Sequence, residues 1–140
     1  MSDDIWVRFA NETDTAVFAQ DPFFPNEVML RKMTQHEVII AERQGLLAGS
    51  MRFEYHWSML PFITFIRVQP EYRLQGIGKA LLAYLEAFLR NHGYTSLYSS
   101  SQADEPEPQA WHRRMGFTEC GIIAGMNDGG VGEIFFRKEL

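Results

Sequence analysis

The pattern of hydrophobic and polar positions is most regular between Ile77 and His92. Apolar side chains recur there at every third or fourth position, namely at 77, 81, 84, 85, 88 and 89. This spacing brings them to one face of a helix, and Gly93 follows at the place where glycine commonly ends one. The segment predicts a long helix with one buried side, which includes Tyr84 and Phe88.

Shorter apolar and alternating runs elsewhere predict strands, and polar capping patterns predict further helices. Strands are expected at 5–9, 38–41, 46–57, 62–68, 96–101, 117–124 and 133–136. Helices are expected from Asn11 to Gln20, with Asn11 and Asp14 as a capping box, from Asn26 to Met33, with Asn26 as the cap, and from Pro106 to Met115.

The order of these elements is β-α-α-β-β-β-α-β-α-β-β. It predicts an α+β fold with a mixed, mostly antiparallel sheet and a βαβ unit at its centre. The run 62–68 is apolar at almost every position, which is typical of a central strand that is covered on both faces.

Composition narrows the class of protein. The chain has 140 residues, 46% of them hydrophobic and 22% charged, which predicts one compact domain over residues 1–140. Cys120 is the only cysteine, so no intramolecular disulfide or thiolate metal cage can form, and we expect a small buried side chain there.

Charge and hydropathy bear on location and partners. The first residues lack the basic and apolar segments of a secretory signal, and no apolar run is long enough to cross a bilayer. We therefore expect a cytoplasmic protein without a membrane partner. The net charge of −5 argues against a nucleic-acid partner, because nucleic-acid-binding proteins usually carry a basic stripe.

The segment from Ile66 to Ala80 carries the main chemical signal. An apolar strand ends there, a short loop follows, and Gly76 and Gly78 stand at the first turn of the long helix. Free N–H groups at a helix start attract anions, and glycine lets a phosphate approach the backbone. The alternative, that the two glycines only shape a turn, is equally consistent with the glycines alone.

Two common phosphate-binding motifs do not fit this segment. A P-loop requires glycine five residues before Gly78 and Ser or Thr after Lys79, but Arg73 and Ala80 stand at those positions. A dinucleotide-binding fingerprint requires a small residue at position 81, where the chain has Leu81.

Three motifs together resemble the GNAT superfamily of N-acetyltransferases. They are Val68-x-Pro70, then Arg73-x-x-Gly76-x-Gly78, and about thirty residues on Ala110-Trp111-His112-Arg113-Arg114-Met115-Gly116-Phe117. The element order also matches most of the family fold. The resemblance implies direct transfer of an acetyl group from acetyl-CoA to an amine, without a metal.

The resemblance also assigns residues. Backbone groups of Ile66, Arg67 and Val68 would bind the pantetheine arm, and the strands 62–68 and 96–101 would splay apart to admit the thioester. The diphosphate would be held at the loop and helix start, that is, by Arg73, Leu74, Gln75, Gly76, Ile77, Gly78 and Lys79.

For the catalytic groups the resemblance leaves alternatives. At the position of His112, many family members have a tyrosine, which protonates the departing CoA thiolate. A histidine can donate the same proton. The alternative is that His112 is an ordinary residue of a polar helix face. Glu105 stands where the family often has an asparagine that helps to hold the cofactor arm, and a carboxylate there can simply cap the helix. Glu54 and His56 alternate onto one strand face, and either is a candidate base for the amine.

The sequence leaves the acceptor open. By family analogy, residues 10–35 and the loop 125–132 shape its pocket, and the acidic charge weakly favours a small polyamine-like or amino-acid-like amine. A homodimer is compatible with the resemblance. The alternative function is a non-catalytic acyl-CoA-binding or sensor module, which the departures at His112 and Glu105 would suit.

Overall fold

The computed structural model describes residues 4–140. Its strands are β1 (Ile5–Phe9), β2 (Val38–Arg43), β3 (Leu46–His56), β4 (Leu60–Val68), β5 (Ser96–Gln102), β6 (Thr118–Ile123) and β7 (Glu133–Glu139). Its α-helices are α1 (Asn26–Thr34), α2 (Ile77–Asn91) and α3 (Pro106–Arg114), and short 3-10 helices cover Thr15–Gln20, Pro70–Tyr72 and Asp128–Gly130.

The strands form a seven-stranded sheet in the order β1-β2-β3-β4-β5-β7-β6. β4 and β5 run parallel, with Phe62 opposite Tyr98, and α2 connects them. The other pairings for which a register is known are antiparallel. The predicted α+β class, with its mixed sheet and central βαβ unit, is confirmed, whereas the splaying of β4 from β5 stays a prediction.

The chain divides into two compact units. The first runs to Phe53 and resumes over Phe65–Phe88, and the second comprises Glu54–Thr64 and Leu89–Leu140.

In the first unit, β1, β2 and β3 carry helices on both faces because their side chains alternate. One face packs against α1 and the first 3-10 helix through an apolar cluster of Ala10, Val17, Met29, Met33, Val38 and Ile40. The other face packs against α2, where Phe9 makes edge contacts with Tyr84 and Phe88. The predicted buried stripe of α2 is therefore confirmed.

Gly49 on β3 is the point of closest approach to α2. A Cβ added there would lie 2.9 Å from the carbonyl oxygen of Arg67 and 2.9 Å from Cγ2 of Ile77. Only glycine leaves enough room at this place. Gly49 therefore positions both the end of β4 and the start of α2, and nothing in the sequence pattern singled it out.

In the second unit, β5 separates two chemically different faces. Leu97, Ser99 and Ser101 are buried on the side of α3, while Tyr98, Ser100 and Gln102 on the opposite side are half-exposed. β7 pairs with β5 along its length, and β6 forms the edge of the sheet with every residue exposed.

Three local expectations about a helix start, a helix cap and a buried cysteine were wrong. The helix predicted from Asn11 is a 3-10 helix that begins at Thr15, because the Asp14 carboxylate accepts the N–H of Asn11 in a separate turn. Pro25, not Asn26, is the N-cap of α1, and Asn26 is already helical. Cys120 is exposed instead of buried, because β6 is an edge strand and its ladder is irregular at that position.

Candidate active site

The loop between β4 and α2 presents a run of unused backbone donors. Each peptide N–H from Leu74 to Lys79 lacks an acceptor within residues 4–140, and the first helical bond of α2 is donated by Ala80 to the carbonyl of Gly76. Successive free N–H groups at a helix start form a positively polarised surface. Such a surface can bind a phosphate group without any charged side chain.

The backbone of this loop is strained in a way that favours a ligand site. Leu74 and Gly76 both have positive φ values, of 62° and 84°, and the Leu74 side chain is fully exposed. A non-glycine residue in this conformation is uncommon and costs free energy. No atom of residues 4–140 lies within 4 Å of the Cβ position at Gly76, so the space in front of the backbone is open to that extent.

Side chains around the loop hold its shape. Nε of Arg73 donates to the carbonyl of Val68 at 3.2 Å, and Nε2 of Gln75 donates to the carbonyl of Glu71 at 3.1 Å. Arg43 of β2 donates to the side-chain carbonyl of Gln75. Arg73 is therefore partly engaged with the protein, and its predicted contact with a phosphate stays a prediction.

A shallow cavity of about 300 Å³ lies beside this loop, lined by Arg43, Gln44, Tyr72 and Gln75. On the β4 side, Ile66 and Val68 are half-buried and Arg67 is exposed. The loop and the end of β4 thus form one continuous segment in the first unit, in the order that the sequence indicated.

His112 lies in the second unit and is enclosed. Its side chain is 3% exposed, and its ring stacks on Phe136 with centroids 4.5 Å apart. Nδ1 is 2.7 Å from the carbonyl oxygen of Pro108, and Nε2 is 2.7 Å from Oγ of Ser99. Because a carbonyl only accepts, Nδ1 carries the proton, and the Ser99 hydroxyl donates to Nε2 of a neutral ring.

The electrostatics agree with a neutral imidazole. Burial lowers the pKa of His112 below its ordinary value of 6.5, and the Pro108 hydrogen bond and the negative charge of Glu133 offset only part of this effect. The role of His112 as the acid stays a prediction. To protonate a thiolate from the described conformation, the ring would first have to release one of its hydrogen bonds to Ser99 and Pro108.

Glu54 and His56 occupy the exposed end of β3, on the same face, and the ring of His56 lies 4.6 Å from that of Trp57. Their role as candidate bases stays a prediction. Sequence reasoning missed Ser99, which hydrogen-bonds to His112 from β5, and Glu133, whose negative charge raises the pKa of His112, because neither belongs to a recognisable spacing.

Among residues 4–140, no three His, Cys, Asp or Glu side chains come together in a group that could hold a metal ion. In the same part of the chain, no helix has the length and apolar character needed to cross a bilayer.

Comparisons with known proteins give the family. The model of the acetyltransferase (GNAT) family matches residues 4–117. Aminoglycoside N(6')-acetyltransferase type 1 from Stenotrophomonas maltophilia is 30% identical, over 96% of this chain and 93% of that protein.

Two solved structures have a similar fold. Ard1 from Thermoplasma volcanium superposes with a TM-score of 0.86 at 14% identity, over 97% of each chain. A protein assigned as a streptothricin acetyltransferase from Bacillus anthracis str. Ames, solved in complex with acetyl coenzyme A, superposes with a TM-score of 0.69 at 18% identity, over 74% of this chain and 61% of that one. From the family match and the relative of similar length, the chain belongs to the acetyltransferase (GNAT) family of enzymes.

Proposed function

We propose that this protein transfers an acetyl group from acetyl-CoA to a primary amine by direct attack. The observation that carries the proposal is the uninterrupted run of N–H groups from Leu74 to Lys79 that find no acceptor in the described part of the chain. A diphosphate has several acceptor oxygens and two negative charges, so it suits this surface better than a neutral ligand does. The complex of the Bacillus anthracis relative with acetyl coenzyme A supports the choice of donor.

The proposed reaction needs no covalent enzyme intermediate. The neutral amine attacks the thioester carbonyl, a C–N bond forms, the C–S bond breaks, and the CoA thiolate leaves. The amine loses one proton and the thiolate gains one, so the reaction is balanced without a further reactant. We assign the first proton transfer to Glu54 or His56 and the second to His112, whose neutral ring must first take up a proton from solvent to act as the acid.

The acceptor is a small amine whose identity is open. The relative from Stenotrophomonas maltophilia bears the name of an aminoglycoside acetyltransferase, and the Bacillus anthracis relative is assigned to streptothricin. Both names support testing amines with several amino groups. The cytoplasmic location and the homodimer stay predictions.

The direct test incubates the protein with acetyl-CoA and a panel of amines while released thiol is measured. Calorimetry with CoA reports binding separately. Gly76→Val should weaken CoA binding at least tenfold, because its side chain would occupy the space in front of the free N–H groups. Gly93→Val is the matched control, since Gly93 has the same φ of 84° and equally open surroundings at the other end of α2.

Equal CoA affinity in the two variants would refute the assignment of the diphosphate to this loop.

A second function, a non-catalytic acyl-CoA-binding module, is favoured by one observation, the sealed and neutral ring of His112. Tight CoA binding without release of thiol for any amine would establish that module instead of the enzyme.

A further inference from the structure

Glu133, the first residue of β7, holds a half-buried carboxylate that is fixed by neutral donors. Its Oε2 accepts the hydroxyl of Ser100 at 2.6 Å, and its Oε1 accepts Nδ2–H of Asn127 at 2.9 Å. Each carboxylate oxygen therefore has one hydrogen bond and a remaining lone pair. The two donors come from different elements, β5 and the loop before β7, so the carboxylate is held in one orientation.

This carboxylate has no cationic partner among the residues that the structure describes. Within residues 4–140, no Lys, Arg or His side chain forms an ion pair with Glu133. Arg137 lies four residues along the same strand, but its guanidinium is already paired with Glu139 at 3.5 Å. A partly desolvated carboxylate with only neutral donors is stabilised further by a cation.

The surface beside Glu133 is aromatic. Strand register puts Ser100 opposite Phe135 and Gln102 opposite Glu133, so these side chains share the face of β5 and β7 that is opposite α3. The ring of Phe62 is stacked 6.1 Å from Tyr98 and meets Phe135 edge-on at 5.6 Å. We call Phe62, Tyr98 and Phe135 the aromatic patch.

The aromatic patch is accessible. All three rings are half-exposed, whereas the opposite face of β5 is buried under α3. Aromatic faces attract cations and also pack against the apolar body of a ligand. A fixed carboxylate beside such rings is complementary to an alkyl or ring-bearing ammonium, and it is not complementary to an anion.

We propose that Glu133 and the aromatic patch bind an ammonium group of the acceptor that does not react, so that the acceptor is a diamine or a polyamine. This inference rests on the proposed acetyltransferase function. The carboxylate acts as a specificity determinant through its charge, and the hydrogen bonds from Ser100 and Asn127 keep it in position while the second amino group is acetylated.

The test compares butylamine, 1,4-diaminobutane and spermidine, which carry one, two and three amino groups. The wild-type protein should have a kcat/KM at least tenfold higher for the diamine than for butylamine. Glu133→Gln, which keeps the shape of the side chain and loses its charge, should abolish this preference through the KM of the amine, with the KM of acetyl-CoA unchanged. Glu119→Gln is the control, because Glu119 is an exposed carboxylate of β6 paired with Arg113.

Three results would overturn the inference: no preference for diamines in the wild type, a preference that survives in Glu133→Gln, or an equal loss for butylamine, which would indicate a merely structural role. A binding measurement keeps the test independent of turnover. Titration of ¹⁵N-labelled protein with 1,4-diaminobutane in the presence of CoA should shift the amide signals near Glu133 saturably in the wild type and not in Glu133→Gln. If no amine is acetylated, the proposed function fails, and this titration still decides whether the carboxylate binds a diamine.

Discussion

Replacing Gly49 with alanine tests the packing that positions the candidate site. The new Cβ would lie 2.9 Å from the Arg67 carbonyl oxygen and 2.9 Å from Ile77 Cγ2, whereas unstrained carbon contacts are about 3.5–4.0 Å. Neither neighbour can move easily, because one is backbone of β4 and the other is a branched side chain at the start of α2. β3 must therefore move slightly away from the end of β4 and the start of α2.

The expected cost follows from two opposing effects. Overpacking of a filled site costs about 1–3 kcal/mol, whereas replacing a strand glycine with alanine gains about 0.5–1 kcal/mol in backbone entropy. With two rigid neighbours in contact we take the upper part of the first range, which leaves a loss of about 2 kcal/mol. For a chain of this length each kcal/mol lowers Tm by about 3–5 °C, so Tm should fall by about 6–10 °C.

Thermal and chemical unfolding, each followed by circular dichroism, measure the loss, and calorimetry with CoA measures its effect on the loop that begins after Val68. Gly121→Ala is the matched control, since Gly121 is also a strand glycine but has no described neighbour within 4 Å of its Cβ position. The control should be as stable as the wild type or slightly more stable. If Gly49→Ala unfolds at the same temperature as Gly121→Ala, the close approach of β3 to α2 is refuted.

Three further predictions concern titration and the enclosed histidine. His112→Phe should keep CoA binding and lower turnover, and full turnover at every pH would refute the acid role. The same variant should be less stable by at least about 2 kcal/mol, because it leaves the Ser99 hydroxyl and the Pro108 carbonyl without their partner. Because the folded-state pKa of His112 lies below its ordinary 6.5, the unfolded chain binds more protons, so stability measured by urea titration should decrease as the pH falls below about 6.5, and this slope should be weaker in His112→Gln. The Arg8 hydrogen bonds lower the pKa of Asp14 below its ordinary 3.8. The contribution of Asp14 to the free energy of unfolding is therefore complete above pH 3.8 and is lost as the pH falls through the folded-state pKa. Asp14→Asn should remove this dependence of stability on acid pH, and an unchanged dependence in the variant would contradict the prediction.

The elements that the sequence predicts well are those whose signal is local. The stripe of α2 repeats over several turns, and the loop from Arg73 to Lys79 follows directly from a strand end and two glycines, so both could be read from neighbouring residues. β7 is longer than its apolar run, because Arg137, Lys138 and Glu139 are polar yet pair with β5 through their backbone. Backbone pairing leaves no mark on the side-chain pattern.

The features that the sequence does not reveal depend on contacts between distant positions. Gly49 is needed because of Arg67 and Ile77, and Glu133 is fixed by Ser100, thirty-three positions earlier in the chain. His112 was identified by its place in a motif, but whether it faces solvent or the core depends on Ser99 and Phe136. Spacing along one helix cannot determine any of these relations.

The strand β4 shows how a correct pattern can support the wrong conclusion about burial. Its apolar run predicts a strand covered on both faces, yet only Pro61 and Ile63 are buried, and Phe62, Phe65, Ile66 and Val68 are half-exposed. An apolar side chain is favourable wherever it is covered, whether by another part of the protein or by a bound ligand, because both exclude water. In an acetyltransferase that binds a long thioester arm, half-exposed apolar residues at the end of β4 are therefore expected, and CoA binding should protect their backbone amides from hydrogen exchange. Unchanged exchange at Ile66 and Val68 in the presence of saturating CoA would show that this strand does not contact the arm.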